Sequence, residues 1–194
     1  MEQIDFVVIG GGIAGLSCAA RLAAHGRVAV LEAESGPGYH ASGRSVAFAH
    51  FGLGEQCVRA LTALSLRALA DFGMRHPALH IASAAQVPAL DALEAVHHQF
   101  SCDYARLSGE HAQSLMPVLR VGSEHCHAAL VDYGALKLDT DAMLQAHMAT
   151  LRSGGGALIA GARVSAIARI GRRWRVETAA RAFTAPIVVN AAGA

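Results

Sequence analysis

Charge is scarce in this chain: Asp, Glu, Lys and Arg make up 16% of its 194 residues, and sixteen basic against fifteen acidic side chains leave a formal charge of +1. Such a balance supplies neither the basic face that grips nucleic acid nor one that binds an anionic membrane surface. The one dense basic run, Arg172-Arg173-Trp174-Arg175, reads as a solvated hairpin tip. Cysteine is sparse too. Cys18, Cys57, Cys102 and Cys126 form no CxxC pair, which excludes a disulfide framework and fits a reducing compartment. His125-Cys126-His127 has metal-ligand residue types, but neighbours on a strand point to opposite faces, so no metal site is expected there. A membrane span needs about 20 apolar residues. The apolar stretch Phe6 to Ala20 is shorter and is interrupted by Gly10-Gly11-Gly12. It is not a secretory leader either, since Glu2 and Asp5 stand where basic residues belong. The expectation is a soluble, cytoplasmic protein without stable membrane insertion.

What the chain has in quantity is hydrophobic residues, 53% of the total, enough to bury a sizeable core. Its length fits one domain or one and a half. Phe6-Val7-Val8-Ile9 is a continuous apolar, β-branched run, as expected of a buried parallel strand. It enters Gly10-Gly11-Gly12-Ile13-Ala14-Gly15, a G-x-G-x-x-G pattern, followed by a helical pattern that stops at His25-Gly26. A second strand, Val28 to Leu31, ends at Glu32. In such a unit Gly10 makes the tight turn, Gly12 leaves room for a pyrophosphate against the backbone, and Gly15 lets helix and strand pack closely. Amide groups at the helix start, at the positive end of its dipole, hold the phosphates. Glu32 follows Gly10 by 22 residues, near the spacing of about 20 at which an acid accepts ribose hydroxyls. That acid repels a 2′-phosphate and so argues against an NADP-type ligand.

The next segment separates larger from smaller dinucleotides. Gly36 to Ser45 is a long polar, glycine-rich connection at the place where an NAD-type unit enters its second helix. Ser42, Gly43 and Ser45 keep its backbone amides available to a larger cofactor, and Arg44 serves either to neutralise a phosphate or to fix the loop.

The runs GGGIAGLSCA, VLEAE and GYHASGRSVA, with Leu138-Asp139-Thr140-Asp141 and Val188-Val189-Asn190-Ala191-Ala192-Gly193-Ala194, resemble the D-amino acid oxidase, glycine oxidase and sarcosine oxidase superfamily of flavoproteins. Within it the likeness is greatest to bacterial D-arginine dehydrogenase. The resemblance implies FAD as cofactor and an α/β fold: a discontinuous Rossmann-like FAD-binding domain, its central parallel sheet accompanied by a β-hairpin or meander, with part of an inserted α+β substrate domain. It places the first part of the FAD-binding domain at residues 1–78, the partial substrate domain at 79–138 and the second FAD-binding part at 139–194.

Carried over residue by residue, the resemblance puts Gly10, Gly12, Ile13, Ala14 and Gly15 at the diphosphate and Glu32 and Ala33 at the adenosine ribose. Ala41, Ser42, Gly43, Arg44, Ser45, Val46, Ala47 and Phe48 wrap the diphosphate and the flavin side. Val164 meets the adenine through its backbone, and Ala192 and Gly193 complete the cofactor-binding set. The implied activity is oxidative deamination of an amino acid or related amine, with hydride passing from the α-carbon to flavin N5. Phe48 stands where the D-arginine dehydrogenase pattern has histidine, and Leu53 where it has tyrosine, which tilts the expectation to a smaller or more apolar substrate. His50 is the candidate catalytic residue. It either faces substrate or is a partly buried polar residue with a backbone partner. Family members run on well past the segment that ends at Ala194, so the resemblance also implies a truncated product or fragment. It would lack the arginine that grips the substrate carboxylate and the glycine-rich segment beside the flavin ring. The alternatives are a non-catalytic nucleotide-binding fragment and an NAD-dependent Rossmann dehydrogenase. Oligomeric state is left open.

Elsewhere the pattern predicts an amphipathic helix from Gln56 to Phe72 with its apolar stripe in the core, and helices at Asp91 to Phe100 and after Ser108. A further helix, Thr140 to Arg152, is capped by Asp139. A hairpin of Val164 to Ile170 with Trp174 to Thr178 and a buried strand, Ile187 to Asn190, follow.

Overall fold

A computed structural model describes residues 2–193; Ala194, the last residue of the terminal segment matched above, lies outside them. The chain forms two compact units, one made of the chain up to Ser45 and from Asp139 onward, the other of Val46–Leu138. The expected division at 78/79 is therefore corrected. Residues 46–78 pack with 79–138, because Phe48–Ala49 and Gly73–Arg75 both pair with Leu136–Leu138, and Ala78–Ala82 pairs with Ala128–Asp132.

The first unit opens with β1 (Glu2–Gln3), β2 (Phe6–Ile9), α1 (Ile13–Leu22), β3 (Val28–Leu31) and the short α2 (Ala41–Arg44). The chain then runs through the second unit as β4 (Phe48–Ala49), α3 (Gln56–Leu69), β5 (Gly73–Arg75), β6 (Ala78–Ala82), α4 (Val87–Gln99), β7 (Tyr104–Ser108), α5 (Gly109–Leu115), β8 (Ala128–Asp132) and β9 (Leu136–Leu138). It completes the first unit with α6 (Thr140–Ser153), β10 (Ala157–Ile159), β11 (Val164–Ile170), β12 (Arg173–Thr178), β13 (Ala182–Ala185) and β14 (Ile187–Asn190).

In the first unit β10, β3, β2 and β14 form a wholly parallel sheet in that order. Alternation along β2 decides which layer each face meets. Val8 and Val30 face Leu16, Ala19, Leu144, Met148 and Leu151 of α1 and α6. Val7, Ala29 and Leu31 face Val176, Phe183 and Ala185, which belong to the second sheet, ordered β1-β13-β12-β11. Both faces are thus covered, and this is why the strands read as unbroken apolar runs. The second sheet is an antiparallel meander of β11, β12 and β13 with β1 parallel to β13. The Rossmann-like fold class with a parallel sheet and meander is what the structure has. Asp139 caps α6 as expected, its Oδ1 accepting from the Ala142 amide at 2.9 Å. The basic run is not a solvated tip throughout: Arg173 lies in β12 and donates to the Ile4 and Thr184 carbonyls, each at 3.0 Å.

The second unit is built on the antiparallel sheet β6-β8-β7. Leu90 of α4 packs on Ala82 and Leu130, and Ala112 of α5 on Ala129 and Cys126. Ser108 caps α5 through the His111 amide. Cys126 is not on a strand; it is 1% exposed and sits in the core, with its thiol toward the Ala128 carbonyl. α3 departs from its expected burial. It contains no buried residue among those described, and Leu61 and Leu64 are 62% and 80% exposed. Its apolar stripe marks a face without a core beneath it.

Candidate functional site

The carboxyl ends of β2, β3 and β14 meet at one place in the first unit. The chain leaves β2 for β3 on one side and later adds β14 on the other, so strand order reverses at β2, where open α/β sheets leave a crevice for ligands. The glycine turn fills the start of that crevice. Gly10 has φ +105°, and a Cβ there would stand 2.2 Å from the Ala191 carbonyl oxygen. A Cβ on Gly15 would stand 1.9 Å from the Gly10 carbonyl oxygen. Protein packing alone demands both glycines.

Gly12 is different. Its φ of −78° and ψ of −178° are open to any residue, and a Cβ would meet only the Ser42 Oγ, at 3.1 Å. Neither the backbone conformation nor any backbone neighbour requires glycine here; a Cβ would need only the Ser42 hydroxyl to give by a few tenths of an ångström. Gly12 is the N-cap of α1, where the first amides have no partner inside the helix. The Ile13 amide donates to Ser42 Oγ at 2.9 Å. Among the described residues no acceptor takes the amides of Gly12 and Ala14, and Ala14 is exposed. A pair of open amides at a helix start, with nothing but a hydroxyl over Gly12, is a seat for an anionic group.

Glu32 lies one residue past β3 and is only 7% exposed. Its Oε2 accepts from the Gly11 amide at 2.6 Å and its Oε1 from the Glu34 amide at 2.9 Å. Sequence reasoning assigned this acid to a ligand hydroxyl; in the structure it first fastens the glycine turn to the end of β3. A carboxylate has about four acceptor positions, so two remain. Ala33 is half-buried beside it. The Ala162 amide donates to the Glu32 carbonyl at 2.7 Å and Gly161 to that of Glu34 at 2.8 Å, which brings the start of β11, with Val164, to the same strand end.

The Gly36 to Ser45 connection folds over the turn. The Gly38 amide donates to the Gly11 carbonyl at 3.1 Å, and Gly43 to that of Gly38 at 2.7 Å. This brings α2, with Ala41, Ser42, Gly43 and Arg44, beside α1; Ser45 follows it. Arg44 lies 5.0 Å over the Tyr39 ring and so fixes the loop. After β14, Ala192 and Gly193 are exposed, with Gly193 at φ +85°. Gly10, Gly12, Ile13, Ala14, Gly15, Glu32, Ala33, Ala41 to Ser45, Val164, Ala192 and Gly193 are thus all in the first unit.

Val46, Ala47, Phe48 and His50 belong to the second unit. Ala47 has φ +54°, rare for a residue with a Cβ. The Phe48 ring lies 5.1 Å from that of His50. His50 has a backbone partner: its Nδ1 accepts from the Gly52 amide at 3.1 Å. Burial lowers the pKa of His50, with the nearby His97 adding to the effect against the pull of Asp132. A neutral ring whose Nδ1 accepts must carry its proton on Nε2. His50 therefore presents a donor and not a base.

Behind His50 lies a cluster that sequence reasoning missed. The rings of His50 and His80 are 5.3 Å apart, and those of His80 and His97 6.3 Å. His97 is fully buried, its Nδ1 2.9 Å from the Leu93 carbonyl and its Nε2 3.2 Å from Oδ2 of the buried Asp132. The Nε2 and Oδ2 atoms lack hydrogen-bond alignment, but charges at that separation still attract. Burial by itself lowers the His97 pKa, yet Asp132 and the Leu93 carbonyl outweigh it and raise it above the usual value. Burial likewise opposes ionisation of Asp132, and His97 with the Gly134 amide overcomes it and lowers that pKa. The proton thus resides on His97, while burial and the neighbouring imidazoles lower the pKa of His80. A cavity of about 170 Å³ adjoins the cluster, walled by Phe51, Phe100, Ala63, Leu66, His50 and Asp132.

Comparison with known proteins agrees with the first unit's geometry. The family described as "DAO: FAD dependent oxidoreductase" matches residues 5–194. L-α-glycerophosphate oxidase from Mycoplasma pneumoniae with FAD bound superposes with a TM-score of 0.86 at 17% identity, over 100% of this chain and 55% of that one. Glycine oxidase from Geobacillus kaustophilus gives 0.80 at 21%, over 100% and 56%. L-proline dehydrogenase from P. horikoshii gives 0.83 at 22%, over 100% and 54%. The chain spans about half the length of these proteins.

Proposed function

This chain belongs to the DAO family of FAD-dependent oxidoreductases, and on that premise we propose that it oxidises the CH–NH bond of an amino acid or related amine. The observation that carries the reading is Gly12, a glycine that packing does not require, beside the open amides of Gly12 and Ala14. These amides, with Gly10 and Gly15 shaping the turn and Ile13 held by Ser42, take the diphosphate of FAD. The free acceptor positions of Glu32, beside Ala33, take the adenosine ribose, and the backbone at Val164 takes the adenine. Ala41 to Phe48 follow the diphosphate toward the flavin, and Ala192 and Gly193 border it. Bound FAD would supply the two-electron acceptor for the hydride leaving the substrate α-carbon, and hydrolysis of the resulting imine would give, from an amino acid, a keto acid and ammonia. His50 contributes a hydrogen-bond donor, Nε2–H, that orients substrate and does not remove a proton.

The amine class is supported by the presence of glycine oxidase and L-proline dehydrogenase among the structural neighbours. A second reading, oxidation of a hydroxyl, is favoured by the TM-score of 0.86 to L-α-glycerophosphate oxidase. Anaerobic titration of the FAD-loaded chain separates them. Bleaching of the flavin by members of an amino-acid panel, and not by α-glycerophosphate, is expected. Bleaching by the hydroxy compound alone establishes the second reading. Bound FAD that no candidate bleaches makes the chain a non-catalytic nucleotide binder.

A further inference from the structure

We propose that Glu34 is a positioning residue of the nucleotide site, latching the Gly36 to Ser45 connection to the start of β11 so that the adenosine end is shaped before a ligand arrives. The proposal deepens the FAD reading above, on which it rests, by naming the group that orders the site.

Three segments converge on this residue. The Glu34 amide donates to Glu32 Oε1 at 2.9 Å, and its carbonyl accepts from the Gly161 amide at 2.8 Å. The side chain reaches further. A single oxygen, Oε1, stands 3.2 Å from His40 Nε2 and 3.2 Å from Arg163 Nη2. His40 immediately precedes α2, and Arg163 immediately precedes Val164. One carboxylate oxygen thus joins the connection assigned to the diphosphate to the backbone assigned to the adenine. The acid assigned to the ribose is bonded to the same residue.

Packing does not secure these segments at their ends. A Cβ on Gly36 or on Gly161 would meet nothing within 4 Å. Gly38 and Ser42 tie the connection to the glycine turn, and His40 ties it to β11 through Glu34. The side chains of Glu34, His40 and Arg163 are 26%, 68% and 73% exposed, so either contact taken alone is worth little in water. Two donors on one carboxylate, whose own backbone is bonded on both sides, form a network, and there the effect is larger. Its value is preorganisation: a site already in its binding-competent form takes ligand without a further ordering cost.

Calorimetric titration with FAD and with ADP, which carries the adenosine and diphosphate but no flavin, tests the proposal. Glu34→Ala and Arg163→Ala should each bind both ligands about five-fold more weakly, with ligand-free melting unchanged. Arg163→Lys, which keeps the charge, should bind as wild type does. The double variant should bind no more weakly than Glu34→Ala, because the two residues act through one contact. Without ligand, Glu34→Ala should also speed hydrogen exchange at the Gly38 and Gly43 amides. Undiminished affinity in Glu34→Ala, additive losses in the double variant, or unchanged exchange at those amides overturns the proposal. A wild-type chain that takes up neither ligand sinks the FAD reading, and the exchange of Gly38 and Gly43 then decides the latch by itself.

Discussion

The two compact units prepare their polar groups in opposite ways. In the first, the open polar groups are main-chain amides, and side chains matter mostly by being absent. Gly10, Gly12 and Gly15 clear space, and the one buried acid, Glu32, is spent largely on holding the turn. In the second, side chains make the polar cluster: His50, His80, His97 and Asp132 come from four separate places in the chain, and the proton that balances Asp132 resides on His97. A backbone site stays rigid with its strands and tolerates few insertions at the turn. A side-chain site depends on charge balance, and so on pH.

Variants that break each arrangement should differ in size and kind. The largest effect is expected from Asp132→Ala, which leaves His97 charged in the core without a counter-ion; breaking such a pair costs about 3–5 kcal/mol. Chemical denaturation, with hydrogen exchange read on amides of residues 46–138, checks it. Undiminished protection there would show that the pair contributes little. Next comes Gly15→Ala, whose Cβ would lie 1.9 Å from the Gly10 carbonyl oxygen. Overpacking against backbone costs about 1–3 kcal/mol or more, and the loss should appear in the strands of the first unit and spare the second. Ser42→Ala removes the acceptor of the Ile13 amide, a capping contact worth about 1 kcal/mol, read as a small fall in melting temperature.

The pH response sharpens the contrast further. His97 has a raised pKa, so its stabilisation is complete below the ordinary histidine value of 6.5 and fades as pH rises through the raised one. His50 and His80 have lowered values. The unfolded chain then takes up their protons first, so stability is lost as pH falls from 6.5 through those lowered values. The second unit should therefore lose protection on both sides of neutrality, and His97→Gln should flatten the alkaline side and, because His97 helps to lower the His50 and His80 pKa values, lessen the loss on the acid side. Hydrogen exchange across a pH series checks both limbs; an alkaline limb that survives His97→Gln would reassign it to other groups.

Legibility followed the same division. The strand, glycine turn, helix and acid of the first unit stand at fixed spacing within residues 6–32, so the sequence displays them in order. The hairpin β11–β12 and the capped α6 were equally readable, because local periodicity and a cap residue define them. The cluster at His97 and Asp132 had no such signal: its members are far apart in sequence and no motif spaces them. The one hint was Asp132, an acid closing β8, which otherwise reads as apolar. α3 misled for a related reason. An amphipathic stripe announces a face that needs a partner, and periodicity does not say whether this part of the chain supplies one.

The most direct measurement is a titration of the purified chain and of Gly12→Ala with FAD, followed by flavin absorbance and thermal unfolding. On the proposed reading Gly12 is held open for a ligand and not for the fold. The variant should therefore lose no more stability than the Ser42 cap is worth, about 1 kcal/mol, while binding FAD at least ten-fold more weakly, about 1.4 kcal/mol. Equal affinity in the two, or a wild-type chain that takes up no FAD, would contradict the account.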